Sequence, residues 1–155
     1  MRYVVRGLEP ALFHHLVGAD AETLARHNAM RVTAMTDRGW PCRISLEDAS
    51  AGESLILLHH LSHDVPTPFR SSYAIYIREK QTVARTFHDA VPPAFEGRPI
   101  ALRGFDAGGM LRDAALAQPG EADARIRALF ANPAIAYLHA HNAAHGCFAA
   151  AIERQ

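Results

Sequence analysis

The alternation in Tyr137-Leu138-His139-Ala140-His141 restricts the fold of this chain more than any other stretch. Successive side chains on a strand point to opposite faces. Tyr137, His139 and His141 therefore share one face, and Leu138 and Ala140 share the other. Residues 142–146 then read as a five-residue hairpin loop, with Asn142 capping it through its side chain and Gly146 at a position of positive φ. In that register His141 lies opposite Cys147, His139 opposite Ala149 and Tyr137 opposite Ala151. Directly paired side chains have Cβ atoms about 5 Å apart. An aromatic ring and two imidazoles facing a row of small side chains leave room for a ligand, so the closing hairpin is also the first place to look for a site.

The remaining segments build outward from that hairpin. Residues 3–8 read as a first strand and 10–16 as a helical turn. A short helix over 20–27 starts at Asp20, whose carboxylate can accept the free amides of the first turn. Residues 39–41 form a loop, and 42–46 a strand with Cys42, Ile44 and Leu46 on one face and Arg43 and Ser45 on the other. The run Leu55-Ile56-Leu57-Leu58 is apolar on both faces, which marks 54–60 as a central strand. Residues 73–79 form another, with Ile75 and Ile77 inward.

Three prolines and a glycine make 88–99 a long surface connection. Strands at 100–105 and 110–115 flank the turn Asp106-Ala107-Gly108-Gly109. Residues 121–131 form a helix with the apolar stripe Ala122, Ile126, Leu129 and Phe130, ended by Asn132-Pro133. The expected fold is α+β: a mainly antiparallel, curved or barrel-like sheet with two or three short helices, in a single domain over 1–155.

Charge narrows the partners. Sixteen Lys and Arg balance sixteen Asp and Glu, so nucleic acid is not an expected partner. No run approaches the roughly 20 apolar residues of a membrane span, so no membrane role is expected. The opening residues lack a secretory layout, and there are two cysteines, which points to a reduced, cytoplasmic protein without a Cys42–Cys147 disulfide. Lys80 is the only lysine. Arginine's planar fork suits carboxylates and phosphates, though GC-rich coding produces the same bias.

Three chemistries compete for the histidine face. The first is a transition-metal site, zinc for example, held by His139, His141 and Cys147 with a fourth ligand from His63, His145, Cys42 or water. No CxxC or HExxH spacing supports it. The second is a small-molecule pocket in which Arg43, Arg70, Arg78 and Arg103 clamp an anion beside Tyr137 and Asn142. There a histidine with a pKa near 6.5 would act as general acid or base, and Cys147 as a nucleophile. The third is a non-enzymatic binding or interaction protein, with homodimerisation through the small-residue runs 114–117 and 149–151. The expectation is a small, anionic ligand, with catalysis left open.

Three blocks carry a resemblance. They are Pro41-Cys42-Arg43-Ile44-Ser45-Leu46-Glu47-Asp48-Ala49 with Gly52-Glu53, then Pro68-Phe69-Arg70-Ser71-Ser72 leading into Ile77-Arg78-Glu79, and His139-Ala140-His141-Asn142-Ala143 followed by Gly146-Cys147-Phe148-Ala149-Ala150 and Ile152-Glu153-Arg154. In that order the chain resembles the bacterial family called domain of unknown function 1203. Leu102-Arg103-Gly104-Phe105-Asp106 is similar to a further block, and the likeness runs from Arg6-Gly7-Leu8 to Glu153-Arg154. The resemblance brings no activity with it. The chain departs from the family pattern at Tyr73 and Ala74, where members usually have Gly-Pro, and at Ala151, where they usually have arginine.

Overall fold

Short strands joined by turns build two antiparallel sheets in the computed structural model, which describes residues 1–155. In chain order the elements are β1 (Tyr3–Arg6), α1 (Ala21–Arg26), β2 (Ala29–Thr33), β3 (Ser54–His63), β4 (Ser71–Arg78), β5 (Thr86–His88), β6 (Ile100–Phe105), β7 (Leu111–Ala117), α2 (Ala122–Phe130), β8 (Tyr137–Asn142) and β9 (Phe148–Arg154). Single 3₁₀ turns lie at Pro10–Phe13 and Pro93–Phe95. The larger sheet runs β5-β1-β9-β8-β6-β7 and the smaller β2-β3-β4. Both sheets are open. The expected α+β antiparallel class is the class observed.

Two apolar layers fix how these pieces stack. On one side of the larger sheet, Leu102, Leu138, Ala140 and Ile152 pack under Ile126, Leu129 and Phe130 of α2, the stripe expected from sequence. The Tyr3 hydroxyl donates to Asp123 at 2.7 Å and ties α2 to β1. The second layer joins Ile56, Leu58, Ile75 and Ile77 of the smaller sheet to Phe13, Leu16 and Leu24 below it and to Phe148 of β9. The other face of β8 and β9 is thereby turned toward the smaller sheet. Tyr137, His139 and His141 share that face, so they stand between the sheets instead of on an outer polar surface.

Residues 42–46 are a tight turn and not a strand. Cys42 N–H donates to Glu47 O and Leu46 N–H to Cys42 O, both at 2.9 Å, with Leu46 in the left-handed region at φ 56°. All five side chains are buried, which produces the alternating pattern without a pleat. Three other segments hold the turn from outside. Leu8 N–H donates to Arg43 O, Arg85 N–H to Ile44 O, and Arg43 N–H to Tyr76 O. Gly7 makes the approach of β1 feasible, because a Cβ there would lie 2.0 Å from Ile44 O.

The closing hairpin forms, but its register differs by two residues from the expected one. His139 pairs with Ala151 and Tyr137 with Glu153, while a bulge after Ala140 sets His141 opposite Phe148. A two-residue shift over 137–140 keeps those side chains on their expected faces, but at the bulge the shift is one residue, so Phe148 stands on the histidine face where small side chains were expected. Gly146 has φ 74°, as the loop reading requires. The connection 88–99 is less superficial than its prolines suggest, since Ala94 and Phe95 enter the main core.

Candidate functional site

Two neighbouring groups of polar residues occupy the layer between the sheets. The first is an aromatic stack: Tyr137, His139 and His141 from β8, His63 from the end of β3, and Phe105 from the end of β6. His63 and His139 have ring centroids 4.8 Å apart. His63 Nδ1 lies 2.9 Å from Phe69 O, and a carbonyl only accepts, so Nδ1 carries the proton. Its Nε2 then accepts from the Tyr137 hydroxyl at 2.7 Å. His141 Nδ1 donates to Gly146 O at 3.0 Å by the same reasoning. His139 makes no side-chain hydrogen bond and is 6 % exposed.

Burial decides the charge of this stack. It pushes His139 down to about 3, with the neighbouring His63, His141 and Arg103 adding to the effect. Burial likewise lowers His141 to about 4, opposed by the Gly146 carbonyl and reinforced by Arg103 and Arg43. Both rings are therefore neutral near pH 7. No three His, Cys, Asp or Glu side chains converge on a point where one ion would sit. Both nitrogens of His63 are committed, and Cys147 lies against Arg43 instead of beside the two β8 histidines as ligands.

The second group surrounds a cavity of about 520 Å³ at the edge of β4 that the Cys42–Arg43 turn bridges at Tyr76. Its walls come from β4, the loop around Pro41, the turn at Arg43, the Arg98-Pro99 segment and the β8–β9 loop with Asn142, Ala143, His145 and Cys147. Arg43 heads it. This side chain is 2 % exposed and has no carboxylate within ion-pairing distance. Its Nε donates to Phe148 O at 2.5 Å, Nη1 to Pro41 O at 2.5 Å and Nη2 to Cys147 Sγ at 3.2 Å. Burial lowers the Arg43 pKa from its usual range, partly offset by the Cys147 sulfur. Asn142 Nδ2 also approaches Sγ, at 3.6 Å.

Arg98 reaches the same cavity but is neutralised. Its Nη2 donates to Asp48 Oδ1 at 2.7 Å, and that oxygen also accepts from the Gly39 and Trp40 amides. Tyr73 connects the two groups. Its hydroxyl accepts from Arg103 Nη1 at 2.8 Å, its ring meets His141 at 4.9 Å, and it lines the cavity.

The expected site residues are thus divided. Arg43, Asn142 and Cys147 are brought together at the cavity. Tyr137, His139 and His141 are brought together in the stack, with Arg103 behind Tyr73. Arg70 lies apart on the surface with Asp64 at 2.9 Å. Arg78 is engaged by Glu53 at 2.6 Å, with Glu47 at 3.9 Å. Sequence reasoning missed Arg98 and Tyr76, which lie in segments read as a connection and a strand interior, and Asp48, which lies between two expected strands. The one available signal was at Tyr73 and Ala74: both departures from the family pattern line the cavity.

A two-sheet α+β protein with a buried arginine at the head of a cavity between the edge of the smaller sheet and the β8–β9 loop is the class that fold and site define. The family model described as protein of unknown function DUF1203 matches residues 39–154, and the chain belongs to that family. The matched span contains every cavity residue. Comparison with the curated proteins and with the solved structures finds no match.

Proposed function

We propose that this protein binds a small anionic molecule in the Arg43 cavity. The observation that carries the reading is a guanidinium buried to 2 % exposure, without a carboxylate, on the wall of a cavity of about 520 Å³. A buried cation lacking a counter-charge is costly, and an anion entering the cavity removes that cost. Arginine carries five N–H donors, of which three are engaged here. One N–H on each terminal nitrogen remains for a ligand.

The reading is of binding and not of histidine acid–base catalysis. His139 and His141 are held neutral by burial, their pKa values lying well below the value near the operating pH that suits acid–base work. Cys147 is the one thiol on the cavity wall and would be the nucleophile of any thiolate chemistry there.

Thermal unfolding at constant ionic strength, with acetate, octanoate, succinate and phosphate each titrated against chloride, tests the proposal. A ligand that binds only the folded state raises the midpoint saturably. At least one anion should do so for the native chain and none for Arg43→Gln. Because that variant could fail to fold, Ala143→Trp, which fills the cavity from its loop wall, serves as a second variant and should also lose the response. No saturable shift in the native chain, or an undiminished shift in both variants, overturns the reading.

A further inference from the structure

The cavity does not end at Arg43. Resting on the anion-binding reading, we infer that its ligand is an aliphatic monocarboxylate, seated with the carboxylate on Arg43 and the chain lying across β4 and β3 toward Met30.

Charge sets the head group. Of the two guanidinium groups on the wall, Arg98 is paired with Asp48, which leaves Arg43 as the one uncompensated cation there. A single positive charge matches a monoanion; a phosphate dianion or a dicarboxylate would bring a buried charge of its own without a partner. Two uncommitted N–H donors on adjacent terminal nitrogens suit the two oxygens of one carboxylate. Neither helix contributes a residue to the wall, so no helix N-terminus adds to the anion's stabilisation.

The rest of the wall sets the body. Away from Arg43 the cavity is bounded by Pro41, Leu57, Tyr73, Ala74, Tyr76 and Pro99. The polar side chains beyond Arg43 are Arg98, Asn142, His145 and Cys147, apart from the tyrosine hydroxyls. A ligand rich in hydroxyls would leave many of them unpaired against this wall. Leu57 and Ala74 are shared with a second depression of about 290 Å³ that continues over Ala29, Met30 and Leu58. Six of its eight lining residues are apolar. Met30, at 56 % exposure, lines it and gives the extended chain a surface to cover. An arginine head joined through Leu57 and Ala74 to a mainly apolar depression, in which Asn28 and His59 are the polar residues, is the complement of an acyl carboxylate.

Isothermal titration with acetate, butanoate, hexanoate and octanoate, the last below its micellar concentration, is the direct test. Phosphate and succinate are titrated in parallel. Affinity should rise along the series by about three- to fourfold per added methylene while the apolar lining lasts. Octanoate binding should be lost in Arg43→Gln and in Ala143→Trp. In Met30→Glu, octanoate should weaken at least tenfold while butanoate is unchanged, because only the longer chain reaches that position.

The outcomes separate the two claims. Arg43-dependent binding of phosphate or succinate equal to or tighter than octanoate, or affinity independent of chain length, overturns the acyl inference and leaves anion binding standing. Octanoate binding that survives both Arg43→Gln and Ala143→Trp, or no binding of any anion, overturns both.

Discussion

His139 shows how a single buried ring shapes the response of the molecule to acid. It lacks a hydrogen-bond partner and lies between Phe105, Phe148 and His63, with centroid distances of 5.4, 5.1 and 4.8 Å. Its pKa is about 3 folded against 6.5 unfolded, so the unfolded chain binds more protons between those values. The stability contributed by this neutral ring is complete above about pH 6.5 and is lost as the pH falls toward 3. His141, at about 4, acts in the same sense. Replacing His139 with Phe removes one such group at little polar cost, because no hydrogen bond is broken. The fall in unfolding midpoint between pH 7 and pH 4.5 should be clearly smaller for His139→Phe than for the native chain. An unchanged slope would mean that the ring takes up its proton without unfolding.

At the scale of elements, what could be read from the residues depended on whether a local signal and a tertiary one agreed. Asp20 caps α1 through the Thr23 amide at 2.8 Å, and α2 buries the four residues of its stripe, because both signals are local. The hairpin of β6 and β7 formed for the same reason, around Asp106, whose carboxylate accepts from the Gly108 and Met110 amides. β2 gave no such signal: Met30 and Arg31 are both exposed, so its sequence does not alternate. The turn at 42–46 gave a false one, since five buried residues in a loop imitate a pleated strand. Of the site, the hairpin loop with Asn142 and Cys147 was legible, whereas the pairing of Arg98 with Asp48, 50 residues apart, was not.

The same turn yields the sharpest element-scale prediction. Gly7→Ala places a methyl group 2.0 Å from Ile44 O, so β1 and the turn must separate. Overpacking of this kind costs about 1–3 kcal/mol. A midpoint lowered by roughly 2–4 °C per kcal/mol would follow at this chain length. Arg43 sits one residue before the displaced carbonyl, so anion binding should weaken as well. A variant with native stability and native binding would show that the turn moves freely.

At the scale of the whole molecule, the two sheets share their packing. The apolar cluster of the smaller sheet includes Phe148 of β9, and the aromatic stack joins His63 of β3 to β8. The larger sheet has its own layer under α2, but the smaller sheet's layer is completed by Phe148 of β9, and the histidine face of β8 is covered only where the two sheets meet. Unfolding should therefore be one cooperative transition, with calorimetric and van't Hoff enthalpies in agreement. Two resolved transitions in the scan would instead assign each sheet its own stability. No helix is long and apolar enough to cross a membrane.

The triple acceptance at Asp48 Oδ1 also gives evolution a short path between specificities. An asparagine at that position keeps an oxygen for the Gly39 and Trp40 amides, so the loop need not change shape. What it removes is the charge that silences Arg98. Asp48→Asn should convert a cavity selective for one negative charge into one that prefers two, visible as succinate overtaking octanoate in the same titrations. Retained preference for octanoate would show that Arg98 does not address the ligand. A change of a single atom, carboxylate oxygen to amide nitrogen, would then suffice for members of a lineage to diverge in what they bind while sharing one scaffold.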